Sequence, residues 1–460
     1  MKMRILLMIA LMISLAQNAF AAEYYMSPFG NDSNPGTLAA PWRTMDRLQD
    51  AQSSLHSGDT VYFRAGDYLA TDASRFENYS WRAKGVTYKN YATEVPVLIY
   101  DKRKLNTVDG GKIFIFLGEG VTVDGLSLKM TEASRSTGMN GHEIITRRGN
   151  ANSFSTWASD VTIKNCTIDN FSAPAIYVHG ENIMVEHNTL KNLGSHGFYV
   201  AGKDGTYRYN YIDGSRGYPL QNDIQIQYET SIGNKIYGNI LANGQMSGVV
   251  FSGSVSNNEV FNNILINSGD NKSGSGGFAL ALFCQQNLDG SPATARPGNK
   301  FYNNTAIGRI KSRVVDTVTG TPAGTYCLGM MGGRALAENV AIYNNIFYPS
   351  SPPQYSMGNI STIKNNIFYN IPGSVPAGNT MVNPNLVNPN GITSADAMLQ
   401  AGSPAIDQAT SGAPTLDYRS GARPVGAAAD VGAFEYGAPP GSGGGPVGGG
   451  SPSDPTFPCI

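Results

Sequence analysis

The chain has 460 residues, of which 41% are hydrophobic and only 15% charged, with 54 Gly and a formal net charge of −1. That balance supports a large buried core, excludes a chain disordered throughout, and offers no electrostatic footprint for nucleic acid. Low charge with abundant Gly, Asn and Ser points to many short strands joined by tight turns.

The N-terminus reads MKMRILLMIALMISLAQNAFAAEYY. Lys2 and Arg4 give a positive start, Ile5 to Leu15 an apolar run, and Ala19-Phe20-Ala21 a small–x–small site, so residues 1–21 are expected to be a secretory signal peptide. The apolar run is short for a membrane span and no later segment is long enough. No transmembrane segment is expected in the mature chain, which would be extracellular or periplasmic. Residues 22–96 are expected to form an N-terminal cap and the first coil.

From residue 97 to 371 a phrase recurs: NKIYGNILANG at 234–244, NEVFNNILINSG at 258–269, VAIYNNIFYPS at 340–350 and STIKNNIFYN at 361–370. Aligning the copies puts Asn188, Asn210, Asn239, Asn263, Asn304, Asn345 and Asn366 in one slot, with Leu126 and Cys166 in the same slot earlier. The steps from Cys166 are 22, 22, 29, 24, 41, 41 and 21 residues, a solenoid period of 21–24 stretched by insertions. Apolar residues alternate within each copy, as in VTIKNCTI (161–168), which is strand periodicity. A second strand follows in most copies: AIYVHG, GFYVAG, DIQIQYE, GVVFSG and FALALF. The fold predicted is an all-β, right-handed parallel β-helix solenoid with an N-terminal cap and an irregular C-terminal closing segment. Each coil adds about 4.8 Å, so the recurring Asn is expected to stack on itself inside an apolar core, where an amide donates and accepts at once.

Residues 372–437 form the closing segment, and the Gly/Pro/Ser-rich 438–460 reads as a tail without a core. The cysteines, Cys166, Cys284, Cys327 and Cys459, lack metal-site spacing. A Cys284–Cys327 bridge and buried thiols both remain open.

The opening EYYMSPFGNDSNPGTLAAPWRTMDRLQDAQSSLHSGDTVYFRAGDY (23–68) and the closing MLQAGSPAIDQATSG (398–412) with DYRSGARPVGAAADVGAFEYG (417–437) resemble the ends of secreted bacterial right-handed β-helix proteins. Many of these are polysaccharide lyases, and the pectate-lyase-like family 9 shares this type of opening. The resemblance implies a carbohydrate-active protein. Family 9 lyases use a Lys base beside an Asp cluster that binds Ca²⁺; the matching coils here show only isolated Asp204, Asp213 and Asp223, which leaves Ca²⁺ open and no cofactor certain.

Chemistry is sought on the outward positions of the second strand. Stacking Ile176, Phe198, Ile224 and Val249 as one inward column turns Tyr177, Tyr199, Gln225 and Val250 outward, followed by His179, Ala201, Gln227 and Ser252, then Lys203 and Glu229 as an edge pair. Arg147 and Arg148 come from the coil before, and His196 just precedes its strand. Aromatic rings stack on sugars, while amides, imidazoles and cations bond hydroxyls or neutralise carboxylates. The candidate catalytic residues are His179, Lys203 and Tyr199. The candidate binding residues are Tyr177, Gln225, Gln227, Arg147, Arg148, His196 and Glu229. The leading expectation is a lyase cleaving an acidic, uronate-containing polysaccharide by β-elimination, acting as a monomer. A non-catalytic polysaccharide-binding or scaffolding protein is the alternative, with a glycoside hydrolase or uronate epimerase beyond it. A hydrolase would need a carboxyl pair, sought among Asp204, Asp223 and Glu229.

Overall fold

The computed structural model describes residues 21–69, 79–100, 115–130, 144–146, 158–171, 174–193, 196–214, 222–244, 247–268, 278–283, 297–308, 314–315, 322–323, 328–331, 338–349, 360–370 and 374–442. The expected signal peptide, Arg147, Arg148, Cys284, Cys327, Cys459 and most of the Gly/Pro/Ser tail lie outside them.

Three long parallel sheets wrap a common core. The first has twelve strands, from Glu23–Met26 to Ile360–Lys364; the second has nine, from Tyr79–Trp81 to Leu328–Met331; the third has twelve, from Gly66–Leu69 to Thr380–Met381. A full coil gives one strand to each sheet, as in Thr162–Lys164, Thr167–Asp169 and Ile176–Val178. Sequence neighbours therefore lie in different sheets, and hydrogen-bonded neighbours are a whole coil apart. The chain is a parallel β-helix, as the period predicts.

The repeated Asn-Asn pair explains how the chain turns from the first sheet into the third. The first residue of the pair is left-handed: φ is 55° at Asn165, 56° at His187, 57° at Tyr209, 67° at Gly238, 51° at Asn262, 50° at Asn303 and 56° at Asn344 and Asn365. Asn and Gly tolerate that region best, which is why they dominate the slot. The second residue is the inward Asn. Its Nδ2 donates to Oδ1 of the next, from Asn188 through Asn210, Asn239, Asn263, Asn304, Asn345 and Asn366 to Asn379, at 2.8–3.0 Å. The Cys166 amide starts the stack by donating to Asn188 Oδ1 at 2.9 Å. A second, shorter stack joins Asn234, Asn258 and Asn299 at 2.8 and 3.0 Å.

The Ile that follows the ladder Asn does not enter the central core. Leu241, Leu265, Phe347 and Phe368 do, whereas Ile240, Ile264, Ile346 and Ile367 turn outward. The closing segment covers them with Leu386, Leu399, Tyr418, Val431 and Phe434, building a second hydrophobic core on the third sheet. This segment also caps left-handed corners: Asn262 Nδ2 donates to Leu416 O at 2.7 Å and Asn303 Nδ2 to Asp430 O at 3.0 Å. At the other end, helix α1 (Met45–Ala51), N-capped by Thr44, buries Met45, Leu48 and Ala51. Its Gln49 and neighbouring Gln52 accept from the Ser80 and Ala83 amides, closing an edge that would otherwise stay unpaired.

Candidate functional site

The second sheet builds the site from β1 (Ile144–Thr146), β2 (Ile176–Val178), β3 (Phe198–Val200), β4 (Asn222–Gln227) and β5 (Ser247–Ser252). Ile176, Phe198, Ile224 and Val249 pair in one register and are fully buried. The next register position is Tyr177, Tyr199, Gln225 and Val250, which strand alternation turns to the outer face. This is the column read from the sequence.

The rings pack closely. Tyr177 stacks on Tyr199 at 4.7 Å between centroids and 19° between planes. His179 lies two residues on from Tyr177, its ring 4.5 Å away, and its Nε2 hydrogen-bonds the Tyr177 hydroxyl. Tyr228, from the end of the next coil, has its ring 6.2 Å from that of Tyr199 and packs against it. Burial pushes the Tyr199 phenol far above its ordinary range, with Tyr177 and Tyr228 adding to the shift, so it stays protonated at any working pH.

Polar groups continue the face. His196 Nδ1 accepts from the Asn222 amide at 3.0 Å, which leaves the neutral ring's hydrogen on Nε2, and its ring lies 5.9 Å from Tyr199. Asn222 Nδ2 donates to Gln225 Oε1 at 3.0 Å, and Gln225 Nε2 donates to Gln227 Oε1. These amides are oriented by one another. Exposure is 9% at Tyr199, 8% at Tyr177 and 7% at His179, falling to 5% at Gln225 and 2% at Gln227 and His196. The outward positions of this face thus form a packed layer. Rings and amides repeating at the coil spacing cover one another.

Lys203 stands apart from the rings. Its Nζ lies 3.1 Å from Glu181, with both side chains near half exposed. Register places it between Glu181 and Ile232, not beside Glu229. Two residues separate Val200 from Lys203, whereas five separate their partners Ile226 and Ile232, so a strict residue count slips by three. Glu229 lies partly exposed in that excursion.

The carboxylates behave differently from one another. Asp204 occupies a left-handed corner. Asp213 accepts from Asn243 Nδ2 at 3.0 Å. Asp223 is fully buried, and its Oδ2 lies 2.9 Å from Ser268 Oγ, which also lies 3.0 Å from the Leu241 carbonyl. One hydroxyl hydrogen thus faces two acceptors, which gives the Asp223 carboxylate little hydrogen-bond support. Burial pushes its pKa well above the ordinary carboxylate range, against the hydrogen bond from Ser268 and with a lesser contribution from the charge of Asp213. Among the described residues no three His, Cys, Asp or Glu converge to hold a metal ion.

A second aromatic row, Tyr237, Phe261, Tyr302 and Tyr343, runs along the outside of the first sheet at 4.8–5.1 Å spacing and 9–21° between planes. Its rings stack nearly as closely as Tyr177 and Tyr199 do.

The stacked parallel coils define the class, a right-handed parallel β-helix. Residues 24–260, just over half of the chain, match the family model described as "Pel9A-like, right handed beta helix region", and the chain belongs to that family. Among solved structures it resembles a complex of XylC with xylose at 12% identity, covering 81% of this chain and 88% of that one, with a TM-score of 0.50. A GH136 lacto-N-biosidase from Eubacterium ramulus is similar at 12% identity, 78% and 66% coverage and a TM-score of 0.50. Pectate lyase Pel9A aligns at 15% identity over 90% of this chain and 96% of its own, with a TM-score of 0.45. At such identities the likeness is one of fold. No curated protein sequence matches the chain. Among the described residues no helix is long and apolar enough to cross a membrane.

Proposed function

We propose that this is a secreted polysaccharide lyase that cleaves a uronate-containing glycan by β-elimination on the outer face of the second sheet. The observation that carries the reading is the His179–Tyr177 hydrogen bond stacked directly on a protonated Tyr199. It sets a proton acceptor and a proton donor on adjacent coils, which is what the reaction needs.

In this reading the hydrogen at C5 of the uronate leaves as a proton to the His179–Tyr177 pair. Its bonding electrons become the C4–C5 double bond as the C4–O4 bond breaks, and Tyr199 gives its phenolic proton to the departing oxygen. Transfer from the pair back to Tyr199 restores the enzyme. His196, Gln225 and Gln227 bond sugar hydroxyls, and Arg147 or Arg148 neutralises the uronate carboxylate. Lys203 is the weaker base candidate because Glu181 already holds it in an exposed ion pair. A two-carboxylate hydrolase is disfavoured by the full burial of Asp223 against Ser268, out of a substrate's reach.

The test is a panel of pectate, alginate, glycosaminoglycans and neutral glycans, followed by ultraviolet absorbance of unsaturated uronide and by reducing ends, with Ca²⁺ and with chelator. Absorbance rising together with reducing ends on a uronate glycan, chelator present, is expected. Reducing ends without absorbance would make the protein a hydrolase, and retention of a glycan without turnover would make it a binding protein.

A further inference from the structure

We propose that Tyr228 is a positioning residue of this site, holding the Tyr199 hydroxyl where the leaving oxygen arrives. The inference rests on Tyr199 being the proton donor.

Left-handed residues fall in vertical rows at the coil corners. One row runs from Asn165 and His187 to Asn365, a second through Asn170, Asn192, Asn243 and Asn267, a third through Asp160, Asn182, Asp204 and Asn257. Tyr228, with φ of 71°, belongs to none of them. Because Gln227 pairs with Ser252, its counterpart in the following coil is Gly253, with φ of 77°. The position demands a left-handed backbone, and that coil fills it with the residue that has no Cβ to strain. Here a tyrosine is kept instead. A bulky side chain in this region persists only where its surroundings hold it, and such positions gather at functional sites.

The surroundings are built for it. The Tyr228 amide donates to Ser252 O at 3.1 Å, and the Ser231 amide donates back to Tyr228 O at 3.1 Å, closing a turn. Thr230 Oγ1 donates to Ala201 O and Ser231 Oγ to Val200 O, both at 2.8 Å, which fastens the excursion to the preceding coil. These added residues return the Tyr228 ring to the face, where it packs against Tyr177, Tyr199 and Ala201. The rings of Tyr199 and Tyr228 lie 6.2 Å apart and are tilted by 54°, so Tyr228 bounds the space around the Tyr199 ring without stacking on it.

The experiment compares wild type, Y228F and Y228G in two readouts. The first is turnover of the glycan found by the panel. The second is the Tyr199 signal in ζ-¹³C-tyrosine-labelled protein, assigned by its loss in Y199F, which needs no substrate. Removing only the hydroxyl in Y228F is expected to lower kcat about tenfold with KM within twofold, to shift the pH profile of kcat, and to move the Tyr199 signal. Y228G is expected to do the same more strongly. An unmoved Tyr199 signal, or an unchanged kcat and pH profile in Y228F, overturns the proposal. If no glycan is turned over, the lyase reading fails separately and the Tyr199 signal alone decides whether Tyr228 holds that hydroxyl.

Discussion

Arg423 and Glu435 form an ion pair at 3.0 Å with neither side chain exposed, at the heart of the closing segment. Glu435 also accepts from the Val425 and Asp430 amides, at 2.6 and 3.0 Å, so the pair fixes the loop that covers the third sheet. Removing the cation leaves a buried carboxylate with these two amides but no counter-charge. Arg423→Met is expected to cost about 3–5 kcal/mol in urea unfolding. A loss below about 1 kcal/mol would show that the loop does not depend on the pair.

The Asn stack makes a second prediction. Asn239 accepts from the Asn210 amide and Nδ2 and donates to Asn263 Oδ1 and to the Tyr207 and Tyr237 carbonyls. Asn239→Ala strands several buried partners at once and should cost at least about 3 kcal/mol, at about 1–3 kcal/mol for each group left unsatisfied. Asn182→Ala, at an outer corner, should cost far less. Equal losses would mean the stack is ordinary packing.

Asp430 gives the fold a pH dependence. Burial raises its pKa from 3.8 to about 6, outweighing the amides of Tyr436 and Asp407 and the charge of Arg423. A carboxyl with a raised folded pKa contributes stability that is full below about pH 4 and lost as the pH climbs through 6, because the folded state holds the proton longer. The loss attributable to this group is about 2–3 kcal/mol. Asp430→Asn should flatten the slope of urea stability between pH 4 and 7 by that amount, whatever its constant cost. An unaltered slope would assign the pH dependence elsewhere.

Asp223 should tolerate replacement by its neutral amide. Burial favours its protonated form, so Asp223→Asn at pH 6 is expected to change stability by less than about 1.5 kcal/mol, the size of one neutral hydrogen bond. At alkaline pH the variant should become the more stable of the two, because only the wild type must ionise a buried acid. A large loss at pH 6 would show that Asp223 is charged.

Much of this architecture can be read from spacing alone. Asn188 to Asn366 announce their stack because each coil must return the same slot to the same place, and Leu126 and Cys166 could be assigned by the same count. The Asn234, Asn258 and Asn299 stack carried an equal signal, each lying five residues before a ladder Asn, and was passed over. The direction of Ile240, Ile264, Ile346 and Ile367 was not legible, because an apolar residue beside a turn fits either core, and the closing segment decides between them.

The site was legible by column and illegible by excursion. Tyr177, Tyr199 and Gln225 follow from alternation, and His179 and Gln227 from two further steps. Lys203 was misaligned with Glu229 because three extra residues after Ile226 leave no periodic trace. Tyr228 was missed for the same reason, and Asn222 because it precedes the apolar alternation that marks its strand. The Asp213–Asp223 interaction joins two sheets across a corner, a proximity that no spacing rule predicts.

The most direct measurement is the initial rate of unsaturated-uronide formation by His179→Ala and Lys203→Ala against wild type, at matched thermal stability. Loss of a positioned proton acceptor is expected to slow His179→Ala by about 10²–10⁴-fold, while Lys203→Ala stays within about twofold. Full activity in His179→Ala, or its collapse in Lys203→Ala, would contradict the account and move the chemistry off the tyrosine–histidine face.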